Sequence, residues 1–238
     1  MKHPLPFRPF VTAAVILTSL GLWSGSSRAA GIGTPPTGGQ MPPVVLQKVE
    51  YTPDYAAISR SFDRNPPFVF KGDGTSGRVE DRDGHVLMES GKTIGIFGAS
   101  VSPDKRRVLV KGGNAINFVL GPATGEKIQL PVTPPGVHLL GFGSWYWIDD
   151  HRLVGESGIA KVDEDGKPVR SEANVAQSKL YVYDILTKVL QEVVLPAGFD
   201  GKVFAIIETS PDGYLKIGVE SPVENKSGEL AWFKIGPP

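Results

Sequence analysis

Four turn signals recur along this chain, and their spacing restricts the folds open to it more than any other feature. Thr52-Pro53-Asp54, Ser102-Pro103-Asp104, Ile148-Asp149-Asp150 and Ser210-Pro211-Asp212 each mark a turn. Proline presets φ at the first turn position, and aspartate bonds back to the backbone just beyond it. Apolar runs follow nearby, clearest in Val108 to Val110, Leu153-Val154 and Leu215 to Val219. The aspartates at 54, 104, 149 and 212 lie 50, 45 and 63 residues apart. Periods of that size are the signature of a repeated supersecondary unit, each unit hiding its apolar face against the next.

The units read as small antiparallel sheets. Residues 78–88 place two short strands around Asp83-Gly84, a dipeptide suited to positive φ. Residues 117–130 and 179–194 repeat the pattern with longer turns. Gly 29 and Pro 21 supply the turn-formers that many short strands need. Helical periodicity is confined to residues 55–61, too short to matter. The long third interval holds a polar stretch, residues 155–178, expected as a loop on one rim. The fold class is therefore all-β and propeller-like, with about four antiparallel blades over residues 44–238. The last unit has room for three strands only. The ring is either incomplete or closed by an N-terminal strand, for which residues 44–49 are suited.

The blade signatures also resemble a known class. Ser102-Pro-Asp-Lys-Arg-Arg-Val-Leu-Val and Ser210-Pro-Asp-Gly-Tyr-Leu-Lys-Ile are similar to the second strand of TolB-type, WD-repeat-like β-propeller blades. Leu180-Tyr-Val-Tyr-Asp-Ile-Leu-Thr-Lys and Phe118-Val-Leu-Gly-Pro-Ala-Thr-Gly-Glu resemble the third strand and its turn. Trp147-Ile-Asp-Asp-His-Arg-Leu-Val resembles an aromatic-plus-two-Asp variant. The resemblance covers residues 45–238 at the level of blades, and Tyr183-Asp184 stands where a Trp-Asp dipeptide would be.

The N-terminus reads as an export signal. Lys2, His3 and Arg8 precede an apolar run from Phe10 to Trp23, and small residues lead up to Ala29 and Ala30. Cleavage after Ala29 puts Ser27 and Ala29 where a signal peptidase reads. The run is shorter than the roughly 20 residues that span a bilayer. Residues 1–30 are thus a cleaved leader, residues 31–43 a flexible spacer, and the expected location periplasmic or secreted, with no stable membrane insertion after cleavage. Of 25 basic and 25 acidic residues, Lys2, Arg8 and Arg28 leave with the leader, so the mature chain is slightly acidic. It presents no basic footprint for nucleic acid. With Cys 0, thiol catalysis, thiolate zinc and disulfides are excluded.

No catalytic, cofactor-binding or metal-ligating set is assigned. Gly91-Lys92-Thr93 lacks the earlier glycine of a phosphate loop, and Gly155-Glu-Ser157-Gly158 has Ile159 where a hydrolase elbow needs its second glycine. Asp81-Arg-Asp83-Gly84 and Asp163-Glu-Asp165-Gly166 are read as turns rather than calcium loops. The candidate ligand surface is the run Trp145, Tyr146, Trp147, Asp149, Asp150 and His151. Strand alternation puts Trp145 and Trp147 on one face and Tyr146 on the other, either as a stacking platform or as packing between blades. The expected function is a non-catalytic binding or protein-interaction module using rim loops, with a protein or glycan partner in the cell envelope or outside the cell. The alternative is a glycan- or peptide-acting enzyme, or its accessory propeller, using Asp149, Asp150 or Glu156.

Overall fold

The computed structural model describes residues 43–55, 66–72, 76–91, 95–113, 116–136, 139–169, 175–220 and 228–237. The leader expected over 1–30 and all but the last residue of the spacer lie outside the described residues, as does 55–61 beyond Tyr55. Among the described residues no helix is long and apolar enough to cross a membrane.

The described secondary structure is almost wholly strand, arranged as four successive up-and-down units, the last two of which share one eight-stranded sheet. The first contains β2 (Phe68–Gly72), β3 (Gly77–Asp81) and β4 (Val86–Glu89). The second runs β5 (Ile96–Val101), β6 (Val108–Gly112), β7 (Asn117–Gly121) and β8 (Glu126–Gln129). The third runs β9 (Trp145–Trp147), β10 (Arg152–Ala160), β11 (Val175–Asp184) and β12 (Val189–Val194). The fourth takes β13 (Phe204–Thr209), β14 (Tyr214–Val219) and β15 (Leu230–Gly236), and its outer strand is β1 (Val44–Val49). This up-and-down order in each sheet is propeller-like, as the repeat spacing implied.

In the second, third and fourth units the recurring turn residues define where the second strand begins. The Ser102 hydroxyl accepts the Arg107 backbone N–H at 3.0 Å, and Ser210 does the same for Tyr214 at 3.0 Å. In the third sheet a carboxylate takes that place: Asp149 Oδ1 accepts from the His151 and Arg152 N–H groups at 3.0 and 2.7 Å. Each side chain satisfies backbone donors that the tight turn leaves without a ladder partner. Gly213 completes the last of these turns at φ +76°, and a Cβ there would stand 2.1 Å from the Ile148 carbonyl oxygen. Only glycine fits.

Strand alternation then sends each sheet's side chains into two different layers. In β6, Val108 and Val110 pack toward the first sheet with Val79, Ile96, Phe118 and Leu120. Leu109, between them in sequence, packs the other way with Val119, Phe142, Trp145 and Tyr183. A third apolar layer joins the third sheet to the fourth through Val154, Leu180, Val182, Phe204, Ile217 and Phe233. The period-two pattern of strands is what allows one sheet to serve two cores.

One expectation needs correction. Of residues 155–178, expected as a rim loop, the described residues 161–169 form the connecting turn, while 155–160 and 175–178 are strand: β10 and β11 pair from Arg152↔Asp184 to Ala160↔Val175. Their polar residues are compatible with strands because the hydroxyls are used: Ser157 donates to the Leu140 carbonyl at 2.7 Å, and Ser178 to that of Phe204 at 2.9 Å. The third and fourth units are joined edge to edge, since β1 pairs in parallel with β12 at Val44↔Val193 and Val45↔Val194.

The N-terminal strand does complete the fourth sheet, pairing antiparallel with β15 from Val45↔Gly236 to Val49↔Trp232. Leu46 is its anchor, 3% exposed in the layer between the third and fourth sheets. Leu46→Ala should destabilise the leaderless protein by about 2–5 kcal/mol. Deletion of residues 44–49 should remove most of its stability. Urea midpoints of the three proteins test this, and unchanged curves would show that β1 is dispensable.

Candidate functional site

The sequence-predicted surface separates into two environments. Trp145 is fully buried and Trp147 is 8% exposed, both in the layer between the second and third sheets. They are packing residues. No indole face is offered as a platform, because Trp145 lies across Gly155, where a Cβ would come within 2.8 Å of its ring. The Trp147 N–H donates to the Ser100 carbonyl on β5 at 3.2 Å. Tyr146, on the other face, is half-buried with the Lys111 ammonium 4.6 Å from its ring centroid.

Asp149, Asp150 and His151 form the β9–β10 turn. Asp149 Oδ2 accepts from Arg152 Nε at 2.6 Å, in addition to its backbone donors. His151 stands between two carboxylates, with Nδ1 3.4 Å from Asp149 and Nε2 3.7 Å from Asp184. Asp150 is exposed. Glu156 lies four residues along β10 from Arg152, about 13 Å at the rise of a strand. A pair of glycosidase carboxylates acts at separations of about 5–9.5 Å. Asp149 is taken up by its own turn through Arg152, and the Glu156 carboxylate by the Ile206 N–H of β13.

Glu156 has a different task. Its Oε2 accepts the backbone N–H of Ile206 on β13 at 2.9 Å, beside the bulge between Ile206 and Glu208. Burial pushes its carboxyl above the ordinary value, and the Ile206 bond partly offsets this. Burial likewise lowers Lys111 and raises Tyr146. These three half-buried groups come from β6, β9 and β10.

A cleft of about 510 Å³ opens elsewhere, on the rim shared by the first and second sheets. Three turns line it: the β3–β4 turn with Asp81, Arg82 and Asp83; the β5–β6 turn with Lys105, Arg106 and Arg107; and the β7–β8 turn from Gly121 to Thr124. Pro67 and Phe68 give it an apolar side. Asp81 is engaged by its own turn, since Oδ1 accepts from the Asp83 and His85 N–H groups and Oδ2 meets His85 Nδ1 at 2.9 Å. That contact holds the exposed His85 above the usual imidazole range. Ligand atoms of Asp81, Asp83 and His85 lie within 4.8 Å of one another, a proximity the turn itself accounts for.

The backbone of Lys105 is left-handed, at φ +61°, in the place that Gly213 occupies in the sister turn. A side chain in that region costs about 1–2 kcal/mol. Arg107 is held by Glu126 at 3.3 Å, while Lys105 and Arg106 are exposed. Sequence reading missed this cleft because Ser102-Pro-Asp-Lys-Arg-Arg served there only to mark the repeat. Three successive cations in a turn, with lysine in a glycine position, were the available signal.

The sign of the Glu156 effect is testable. A carboxyl raised on folding contributes stability that is complete below its unfolded value and is lost as pH rises through the folded one. Glu156→Gln keeps an acceptor for Ile206 without the charge, so it should melt higher than wild type at pH 7.5 and equal to it at pH 4. Glu156→Ala orphans the Ile206 N–H and should cost about 1–3 kcal/mol. Thermal melts at the two pH values check both, and a Gln variant less stable at pH 7.5 contradicts the burial argument.

No protein-family model matches the chain, and no curated protein matches it. Solved structures do. Oligogalacturonate lyase from Vibrio parahaemolyticus is 18% identical at a TM-score of 0.38, covering 63% of this chain and 41% of its own. The tricorn protease is 12% identical at 0.40, covering 68% and 15%. The WD40 domain of Toxoplasma gondii coronin is 8% identical at 0.38, covering 72% and 44%. The chain thus spans less than half the length of each. At these levels the likeness concerns fold alone, and the propeller-like architecture rests on the chain's own sheets.

Proposed function

We propose that this protein is an exported, non-catalytic binding module that makes its contacts through turn residues on the rim of its stacked sheets. The observation that carries the reading is the cleft between the first and second sheets. Three turns from two rigid sheets converge on it, and the strand ladders behind them fix their positions. Loops held on a rigid scaffold are where binding residues concentrate. The cleft is lined by cations, the two turn aspartates Asp81 and Asp83, turn backbone and apolar side chains, while Asp149, Asp150 and Glu156 do not line it. Export follows from the leader pattern, with a protein or glycan of the envelope or the exterior as the natural partner.

Two measurements test this. The protein recovered from its own cell envelope or medium should begin at Ala30 by intact mass, and a full-length mass would contradict export. The leaderless chain, immobilised and exposed to envelope extract and to a glycan array, should retain a specific partner. Asp83→Lys together with Thr124→Lys on the rim should weaken that retention, whereas Lys167→Glu in the distant β10–β11 turn should not. Retention of nothing, or retention indifferent to the rim substitutions, overturns the reading.

A further inference from the structure

We propose that a second cavity, away from the rim cleft, binds a medium-chain aliphatic carboxylate with its hydrocarbon inside and its acid group at the mouth. The cavity measures about 220 Å³ and lies between β14, β15 and the connection from β12 to β13, with Lys48 of β1 beside it. It shares no lining residue with the rim cleft, so this site goes beyond the rim-binding reading.

The cavity follows from where small residues fall. Alternation along β14 and β15 sends Ile217, Val219, Ala231 and Phe233 to one face, toward the third unit. Elsewhere in that layer rings fill the space: Phe199 meets Phe204 at 5.3 Å and Phe233 at 5.4 Å between centroids. At the cavity the opposing residues include Ala197 and Gly198, and Ala231 contributes only a methyl group. Small side chains on both sides leave apolar atoms without dispersion partners.

Volume and lining restrict the ligand. An apolar cavity of about 150 Å³ accommodates benzene, and in proportion this one takes about eight carbons. No lining side chain among the described residues carries a hydroxyl, amide or imidazole, so a sugar would find few of the polar partners it needs. The charged lining residues, Lys48, Lys202 and Glu229, are all exposed and mark the mouth. Lys48 and Glu229 neutralise each other at 2.7 Å. The Lys202 ammonium makes no hydrogen bond or salt bridge among the described residues, yet it is near enough to help Lys48 hold the Glu229 carboxyl below its ordinary value. One positive charge is thus in excess at the mouth of an apolar cavity. A hydrocarbon that ends in a carboxylate matches both. Because Lys202 meets solvent, it supplies selectivity for the head group while burial of the chain supplies affinity.

NMR titration of the isotope-labelled leaderless protein with butanoate, hexanoate and octanoate tests this. Affinity should rise about fourfold with each methylene, and the amide shifts should centre on residues 196–202 and 231. Octylamine should bind more weakly than octanoate. Lys202→Gln should weaken octanoate by about two- to fivefold and leave octan-1-ol unchanged. Ala231→Leu should fill the cavity and abolish octanoate binding at an unaltered fold. Should that variant not fold, Lys202→Gln, an exposed change, decides the matter. Asp83→Lys with Thr124→Lys should leave octanoate binding as it is, so loss of either site is seen separately. Absence of saturable binding, affinity indifferent to chain length, octylamine binding as tightly as octanoate, or a Lys202→Gln effect shared by octan-1-ol would each overturn the proposal. Tighter binding of a short peptide ending in leucine would overturn the assignment to a free acid.

Discussion

The strands that end these sheets have one open edge, and the architecture depends on how the backbone groups along it are satisfied. β5 and β13 each end a sheet and pair on one side only. Buried backbone donors and acceptors without partners are costly, so neighbouring sheets supply them. On β13, the Ser178 hydroxyl both accepts from the Phe204 N–H at 3.0 Å and donates to its carbonyl, and Glu156 takes the Ile206 N–H. Each contact joins the inner edge of one sheet to the face of another. The apolar layers hold the sheets together without fixing their register, whereas these bonds are directional and set it.

Local chemistry made the repeat legible in the sequence. A serine or aspartate whose oxygen collects turn N–H groups leaves a recognisable residue pattern, and Ser102, Asp149 and Ser210 perform that task in three sheets. The alternation of Trp145, Tyr146 and Trp147 was likewise readable, since side-chain direction in a strand follows from sequence position alone. Whether the indoles met solvent or another sheet depended on Phe142, Leu109 and Tyr183, which are distant in sequence.

What the sequence concealed was long-range. Residues 155–178 look like a loop because Gly155, Ser157 and Gly158 are poor strand formers, yet the small residues are needed there. Gly155 makes room for Trp145, and a Cβ at Gly158 would stand 2.8 Å from the Val175 side chain. The tertiary partner overrides local propensity. The rim cleft was concealed for a related reason. Its three turns are separated along the chain, and only the stacking of the first sheet on the second brings Arg82 near Arg106.

The pairing of β1 with β15 has a kinetic side. Gln47 donates its side-chain amide to the Pro237 carbonyl, 190 residues further along the chain. Contacts of such separation close late, because the entropy of a long loop is spent before any bond repays it. The first three sheets are built from near neighbours and are able to form while the rest of the polypeptide is still emerging. The fourth must wait for β15, so until that strand is made the early-made β1 lacks its antiparallel partner and keeps an edge open to capture by another chain or a chaperone.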